Sequence, residues 1–235
     1  MTSKHTSKGS VQINTIYNED CLETMKRMPD NFVDLVLTSP PYNLGKGHHT
    51  GNIRHNPYSD DLPEEVYQNQ QVQVLNELHR VTKDSLFYNH KNRIKNGVSI
   101  TPYSWLLKTK WKIKQELIWF NRSQNFDKIR FYPMTERVYW LIKDETKFYN
   151  NINHHDLFKW SAVGTKGDHT RAFPDEMVKD FLACFPENYT IYDPFMGSGT
   201  TARACKDLGR NYIGSEISKE YCDIAEQRLK QEVLL

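Results

Sequence analysis

The segment YDPFMGSGTTARA, residues 192–204, places an apolar stretch, two glycines and a helix-forming run in direct succession. The aromatic and apolar residues that lead to Asp193 predict a buried strand, and the run that starts at Thr200 predicts a helix. Gly197 and Gly199 allow the intervening backbone to turn sharply and approach a ligand closely, because no Cβ intervenes. This order of strand, glycine loop and helix is typical of α/β folds that bind a ligand at the loop.

A second strand follows this helix and ends at an acidic residue, Glu216, in NYIGSEIS. A carboxylate at that position is placed to accept hydrogen bonds from a ribose diol, so the pattern indicates a nucleoside-containing cofactor. Gly197, Gly199 and Ala202 also satisfy the dinucleotide pattern G-x-G-x-x-A, which leaves a nicotinamide-dependent oxidoreductase open. A P-loop does not fit, since no lysine follows the glycines.

Predicted strands and helices alternate along most of the chain. Residues 32–38, 85–91, 115–121, 137–143, 189–195 and 211–217 read as strands; residues 62–83, 101–110, 174–185, 200–209 and 219–231 read as helices. This alternation predicts a Rossmann-like, doubly wound α/β fold. We expect a disordered tail over 1–10 and a single domain over 11–235, with a long mobile loop at 43–61.

The bulk composition is that of an ordinary globular protein, with 235 residues, 38% hydrophobic and 26% charged. No apolar run approaches the length of a membrane span, so we expect no membrane partner. The four cysteines never form a C-x-x-C pair, which favours a reduced cytoplasmic setting. His154 and His155 have no partners at metal-ligand spacing, and we assign no metal.

Positive charge is concentrated in the middle of the chain. Residues 91–130 hold ten basic and two acidic side chains, a local charge of +8, so the remainder carries about −6 of the net +2. Aromatic residues are interleaved with these charges, which suits a polyanion with stackable bases, and we predict a recognition region within about 91–135. A solvated helix face with buried aromatics remains an alternative.

The segment TSPPY, residues 38–42, ends the most apolar predicted strand with two consecutive prolines. The amino group of adenine or cytosine is a poor nucleophile, because its lone pair is delocalised into the ring. Acceptors that hold its hydrogens, such as Ser39 Oγ and the Pro40 carbonyl, would turn that lone pair toward an incoming methyl group. The prolines stiffen this segment, and Tyr42 would stack on a base rotated out of the duplex. A packed, proline-rich strand exit is the structural alternative.

TSPPY together with DPFMGSGTT resembles the S-adenosylmethionine-dependent DNA amino-methyltransferases that make N4-methylcytosine or N6-methyladenine. NEDC at residues 18–21, HTRAFP at residues 169–174 and the segment 208–229 resemble the same family. The catalytic motif precedes the cofactor loop, as in the family's β class. The resemblance implies a mainly parallel seven-stranded sheet with helices on both faces, S-adenosylmethionine as cofactor and double-stranded DNA as partner.

The resemblance also implies roles for individual residues. Ser39, Pro40, Pro41 and Tyr42 match the catalytic motif. The matches to cofactor-binding positions are Asp20, Asp193, Phe195, Gly197, Gly199, Thr200, Glu216, His169 and Phe173. For contacts with DNA, the basic region offers Arg122, Lys128 and Arg130.

Two signals in the sequence disagree about which base is methylated. Ser39 and HTRAFP resemble the cytosine-N4 enzymes, whereas the Asn43-Leu44 that follows the motif resembles the adenine-N6 enzymes, and we favour cytosine N4 narrowly. Methylation at carbon 5 requires a cysteine nucleophile, usually after proline, and none of the ten prolines precedes a cysteine. Direct transfer to nitrogen is the expected chemistry.

Further partners and rival functions follow by analogy alone. Relatives of this class suggest a homodimer and a cognate restriction endonuclease. A methyltransferase of RNA or of protein amides, and a non-catalytic DNA-binding relative, remain alternatives to the DNA-modifying enzyme. A bacterial, archaeal or phage-encoded cytoplasmic protein fits the whole pattern.

Overall fold

The computed structural model describes residues 9–45, 60–121, 131–146, 148–150, 155–160 and 174–231. Its strands are β1 Thr15–Tyr17, β2 Val33–Thr38, β3 Thr82–His90, β4 Arg93–Lys95, β5 Val98–Ile100, β6 Lys112–Phe120, β7 Thr135–Ile142, β8 Leu157–Phe158, β9 Thr190–Asp193 and β10 Asn211–Ser215. Its helices are α1 Cys21–Met25, α2 Glu64–Val81, α3 Tyr103–Leu106, α4 Asp175–Ala183, α5 Thr200–Asp207 and α6 Lys219–Lys230.

The main sheet has eight strands within the described residues, in the order β1-β10-β9-β2-β3-β7-β6-β8. The first five run parallel, β7 is antiparallel to both of its neighbours, and β8 is parallel to β6. The predicted α/β class is confirmed. The sheet is mixed, and the two-residue strand β8 joins the seven strands that were expected.

Strand β2 is buried on both faces, which explains its almost continuous apolar sequence. Val36 packs in a hydrophobic cluster with residues of α1 and α2, whereas Leu35 and Leu37 pack in a second cluster with residues of α4 and α5. Successive side chains of a strand point to opposite faces, so this division shows one helical layer on each side of the sheet. None of the helices in the described ranges has the length and apolar character needed to cross a bilayer.

The direction of strand order reverses between β2 and β9, which are hydrogen-bonded neighbours. From β2 the chain continues outward to β3, and from β9 it continues to β10 on the other side. In doubly wound sheets, ligands bind in the crevice outside the carboxyl ends of the strands at such a switch point. The residues that follow β2 and β9 are therefore brought to one crevice.

A small hairpin of β4 and β5 was not predicted. Its turn is Asn96-Gly97, and both residues have positive φ, 52° and 76°, as a tight two-residue hairpin turn requires. The Asn-Gly pair between RIK and VSI was the available sequence signal. The hairpin lies within the predicted recognition region.

The predicted tail and the predicted loop lie largely outside the described residues. Where the loop begins and ends, Asn43 joins the two sides: its Nδ2 donates to the Leu62 carbonyl at 3.0 Å, and the Leu62 N–H donates to Asn43 Oδ1 at 2.7 Å. Gly45 N also donates to the Asp60 carbonyl at 2.7 Å. The two ends of this segment are thus held together beside the exit of β2.

Gly199 provides a test of the packing behind the glycine loop. Its φ is +86°, and a Cβ there would lie 2.7 Å from Ala225 Cβ and 3.1 Å from Ala225 Cα on α6. We expect Gly199→Ala to lower the free energy of unfolding by about 2–4 kcal/mol, through backbone strain and overpacking, measured by urea denaturation.

Gly209→Ala is the matched control, because Gly209 also has a positive φ, +65°, but a Cβ added there would meet no heavy atom within 4 Å. It should lose about 1–2 kcal/mol through strain alone. Equal losses for the two variants would contradict the close approach of α5 and α6.

Candidate active site

Four polar side chains meet where β2 ends. The Ser39 Oγ and Tyr42 hydroxyl oxygens are 2.8 Å apart. Asn89 Oδ1 is an acceptor 3.2 Å from Ser39 Oγ and 2.7 Å from the Tyr42 hydroxyl oxygen. The Tyr42 hydroxyl is also 3.0 Å from Glu136 Oε2. Asn89 lies near the end of β3 and Glu136 near the start of the antiparallel β7, so neighbouring strands build one network around the Ser-Pro-Pro-Tyr segment.

The two proline carbonyls have different surroundings. The Tyr67 hydroxyl lies 2.8 Å from the Pro41 carbonyl and 2.8 Å from His90 Nε2, and has one proton to donate to either. Burial lowers the pKa of His90 to about 3, so its ring is neutral, and Nδ1 donates to the Lys91 carbonyl. In the described part of the chain, the Pro40 carbonyl accepts no hydrogen bond. Pro40 is a buried residue, and of the two proline carbonyls its oxygen is the one without a hydrogen-bond donor among the described residues.

Tyr42 is held at both ends of its side chain. Its ring lies 4.6 Å from the His90 ring, at 40°, and the Lys91 ammonium is 5.4 Å from its centroid. Burial, followed by the negative charge of Glu136, raises the pKa of Tyr42 well above its ordinary value. The hydroxyl is therefore a neutral donor and acceptor, and stacking of this ring on a base stays a prediction.

Asp193 connects the catalytic segment to the glycine loop. Its carboxylate accepts hydrogen bonds from Thr38 Oγ1 at 3.0 Å, from Phe195 N at 3.0 Å and from Thr201 Oγ1 at 2.7 Å. The side chain is only 1% exposed, and burial raises its pKa to about 6. These bonds give Asp193 a structural role; a direct contact with cofactor stays a prediction.

Glu216 is fixed by backbone donors at the end of β10. Gly197 N donates to its Oε2 at 2.8 Å, and Ser218 N donates to its Oε1 at 2.7 Å. A Cβ on Gly197 would meet only the Phe195 carbonyl oxygen, at 3.9 Å, so the loop faces open space there. A buried carboxylate beside an open glycine loop fits a nucleoside such as that of S-adenosylmethionine.

The remaining cofactor candidates have defined local roles. Asp20 caps α1, where its side chain accepts from Leu22 N at 2.8 Å, and it is exposed next to the end of β1. Phe195 packs against the core, and Thr200 is the buried first residue of α5. Their contacts with cofactor stay predictions.

Several predicted residues lie outside the described ranges: His169, Phe173, Arg122, Lys128 and Arg130. Among the residues that are described, no three His, Cys, Asp or Glu side chains lie together as a metal site would require.

The described basic residues of segment 91–130 lie at two opposite sides of the sheet: the side where the parallel strands end and the side where they begin. Strand β6 runs parallel to β3, since both are antiparallel to β7, so Lys112 and Lys114 lie near the edge opposite Ser39. The β4–β5 hairpin instead follows Lys91, beside the Tyr42 ring. The local charge of +8 therefore does not form one surface.

Asn89, Glu136 and Tyr67 were missed by sequence reasoning. Asn89 had a signal, because it is a polar residue at the carboxyl end of an apolar strand, where ligands bind. Glu136 had none, since only the antiparallel direction of β7 brings its first residues to that edge. Tyr67 reaches Pro41 from a helix whose packing only the tertiary structure defines.

Comparisons with known proteins agree with this geometry. Residues 33–227 match the family model of N6/N4 DNA methylases. The type II methyltransferase M.ScaI of Streptomyces caespitosus is 28% identical over 92% of this chain and 81% of its own length.

Solved structures share the fold at lower identity. The PvuII DNA methyltransferase, described as cytosine-N4-specific, superposes with a TM-score of 0.77 at 19% identity, over 96% of this chain and 89% of that one. The M1.HpyAVI–SAM complex gives a TM-score of 0.65 at 21% identity, over 92% and 99%. The resemblance inferred from TSPPY and DPFMGSGTT is confirmed.

The buried Asp193 predicts a specific pH dependence of stability. Its folded-state pKa of about 6 exceeds the ordinary 3.8, so its protonated form is favoured by folding. Relative to Asp193→Asn, the wild type should be most stable below the ordinary pKa. It should lose about 3 kcal/mol as pH rises through about 6, measured by urea unfolding at each pH.

Thr201→Val is the second variant in this test. It removes a hydrogen bond that lowers the pKa of Asp193, so the loss should move to higher pH. A difference between wild type and Asp193→Asn that is independent of pH would contradict this account.

Proposed function

The chain belongs to the N6/N4 DNA methylase family, and on that premise we propose that it methylates the N4 amino group of a flipped cytosine at a specific DNA site. S-adenosylmethionine, when bound, supplies an electrophilic methyl group. Asp193, Phe195, Gly197, Gly199, Thr200, Glu216 and Asp20 would hold it, with His169 and Phe173 as further candidates. Family membership leaves no support for a nicotinamide-dependent oxidoreductase.

One observation carries the proposal: Ser39 and Pro40 directly follow Thr38 at the switch point, and Thr38 bonds to Asp193, which precedes the glycine loop. Two acceptors on the amino hydrogens would orient the nitrogen lone pair out of the ring plane. The prolines fix the backbone, and Asn89 and Tyr42 fix the Ser39 hydroxyl, so the acceptors are preorganised.

The choice of cytosine gains support from the neighbouring Asn43. The sequence argument for adenine rested on Asn43-Leu44 after the motif. In the structure, the Asn43 side chain bonds to both polar groups of the Leu62 backbone, which accounts for an asparagine there without reference to a base. Ser39 then remains the informative position, and it favours cytosine N4 over adenine N6.

The test is mass spectrometry of nucleosides from unmethylated duplex DNA incubated with the protein and S-adenosylmethionine. We expect N4-methyldeoxycytidine, and a loss of about 100-fold or more in rate for Ser39→Ala, because a preorganised acceptor is removed. N6-methyldeoxyadenosine would keep the mechanism and overturn the base. Absence of any methylated deoxynucleoside would contradict the proposal and favour RNA or protein amide substrates.

We also propose that the β4–β5 hairpin contacts DNA next to the flipped base. It is anchored by Arg93, which is buried and bonds to both Glu64 carboxylate oxygens at 2.7 and 2.9 Å. Lys95 is exposed on β4. This strand follows Lys91 in the chain, and Lys91 lies beside the Tyr42 ring. Arg122, Lys128 and Arg130 remain further candidates for contacts with phosphate.

Lys95→Gln should weaken DNA binding several-fold and reduce the slope of log K against log salt by about one, because one phosphate contact is lost. Fluorescence anisotropy over a salt series measures both. Lys110→Gln is the matched control, since Lys110 is exposed just before β6 starts at the opposite edge. Equal effects of the two variants would refute a contact specific to the hairpin.

We also propose a cellular location and protein partners. The four cysteines are buried free thiols, which suits a reducing cytoplasm. A homodimer and a cognate restriction endonuclease are suggested by analogy with type II enzymes.

A further inference from the structure

The network around Tyr42 contains more short oxygen–oxygen contacts than it has protons. Four contacts of 2.7 to 3.2 Å join the oxygens of Ser39, Tyr42, Asn89 and Glu136. Asn89 contributes no proton, because its Nδ2 donates to the Arg137 carbonyl at 3.0 Å and thereby turns Oδ1 toward the hydroxyls. Among the described residues, the two hydroxyls of Ser39 and Tyr42 then supply two protons for these four contacts when Glu136 carries none.

A contact between two oxygens at this distance is favourable only when a proton lies between them. Two hydroxyl protons can satisfy two of the four contacts. A third proton on Glu136 would satisfy the contact between Glu136 Oε2 and the Tyr42 oxygen. The network is therefore arranged to accept one proton.

Amino methylation releases one proton at this place. The nitrogen lone pair forms the new nitrogen–carbon bond, and the electron pair that held the methyl group leaves with its donor. The nitrogen is then positively charged and must lose a proton to give the neutral methylamino product. Ser39 Oγ is the proposed acceptor of an amino hydrogen and is the first oxygen of the network.

We propose that this proton leaves through a relay from the base nitrogen to Ser39 Oγ, from Ser39 to the Tyr42 oxygen, and from Tyr42 to Glu136. Each hydroxyl receives one proton and passes on its own, so Ser39 and Tyr42 end unchanged and Glu136 becomes protonated. Glu136 is half-buried and can release the proton to water. The inference rests on the proposed amino methylation.

Glu136 acts through Tyr42 and Ser39 and is a positioning residue for the reaction. Among the described residues, the titratable groups near Tyr42, the relay's link to Glu136, are His90, Lys91 and Tyr67. Lys91 lies over the Tyr42 ring, and Arg137 pairs with Glu116 at 2.6 Å on the next strand. Asn121 Nδ2 donates to Glu136 Oε1 at 3.2 Å, which holds the other carboxylate oxygen.

The first experiment measures the single-turnover methylation rate of Glu136→Gln as a function of pH. For the wild type we expect the rate to fall on the acid side, where Glu136 is already protonated. The variant should be about 100-fold slower at neutral pH, the range of a lost proton acceptor, and should lack that acid limb. Its affinity for DNA and for S-adenosylmethionine should match the wild type.

A double variant tests whether Glu136 acts through Tyr42. Tyr42→Phe interrupts the relay, so adding Glu136→Gln to it should cause no further loss of rate. Independent, multiplicative losses would overturn the relay.

Glu116→Gln is the matched control. Glu116 accepts a hydrogen bond from the Tyr103 hydroxyl at 2.7 Å on the neighbouring strand, a carboxylate–tyrosine pair outside the network. It should keep the wild-type rate and pH profile. An unchanged acid limb in Glu136→Gln, or equal losses in both glutamate variants, would overturn the relay. Failure of the wild type to methylate DNA would instead overturn the proposed function.

Discussion

The arrangement depends on one buried hydrogen bond, between Thr38 at the end of β2 and Asp193 at the end of β9. These residues are 155 positions apart in the chain and adjacent at the switch point of the sheet. The same carboxylate holds Phe195 N in the glycine loop and Thr201 in α5. Burial of this acid is costly, and its three hydrogen-bond donors offset that cost. The same bonds hold the catalytic segment after β2 next to the glycine loop after β9.

The antiparallel strand β7 adds to the site a side chain that the parallel strands do not supply. Parallel strands bring only their carboxyl ends to the crevice, whereas β7 starts there and contributes Glu136 next to Tyr42. The Arg137 carbonyl on the same strand orients Asn89. A mixed sheet thus supplies acceptors around Ser39 from both strand directions, and these groups need little reorganisation when charge develops.

The topology also separates charges that are neighbours in sequence. Lysines that precede and begin β6 lie at one edge, and the hairpin after Lys91 lies at the other. The hairpin is held against α2 by the Arg93–Glu64 pair, so its position is coupled to the helix that also carries Tyr67. Helix α2 therefore contacts both the catalytic segment, through Tyr67, and the hairpin proposed to bind DNA, through Glu64.

The sequence by itself determined the fold class, the family and the two motifs, because these are local. The apolar run of β2, the glycines at 197 and 199 and the paired prolines restrict the backbone wherever they occur. The hairpin was also readable from Asn96-Gly97. Only the tertiary structure decided that Asp193 joins the motifs, that Asn43 closes the loop ends, and that Glu136 and Tyr67 reach the site. Those contacts depend on strand direction and helix packing, which no local pattern in the chain specifies.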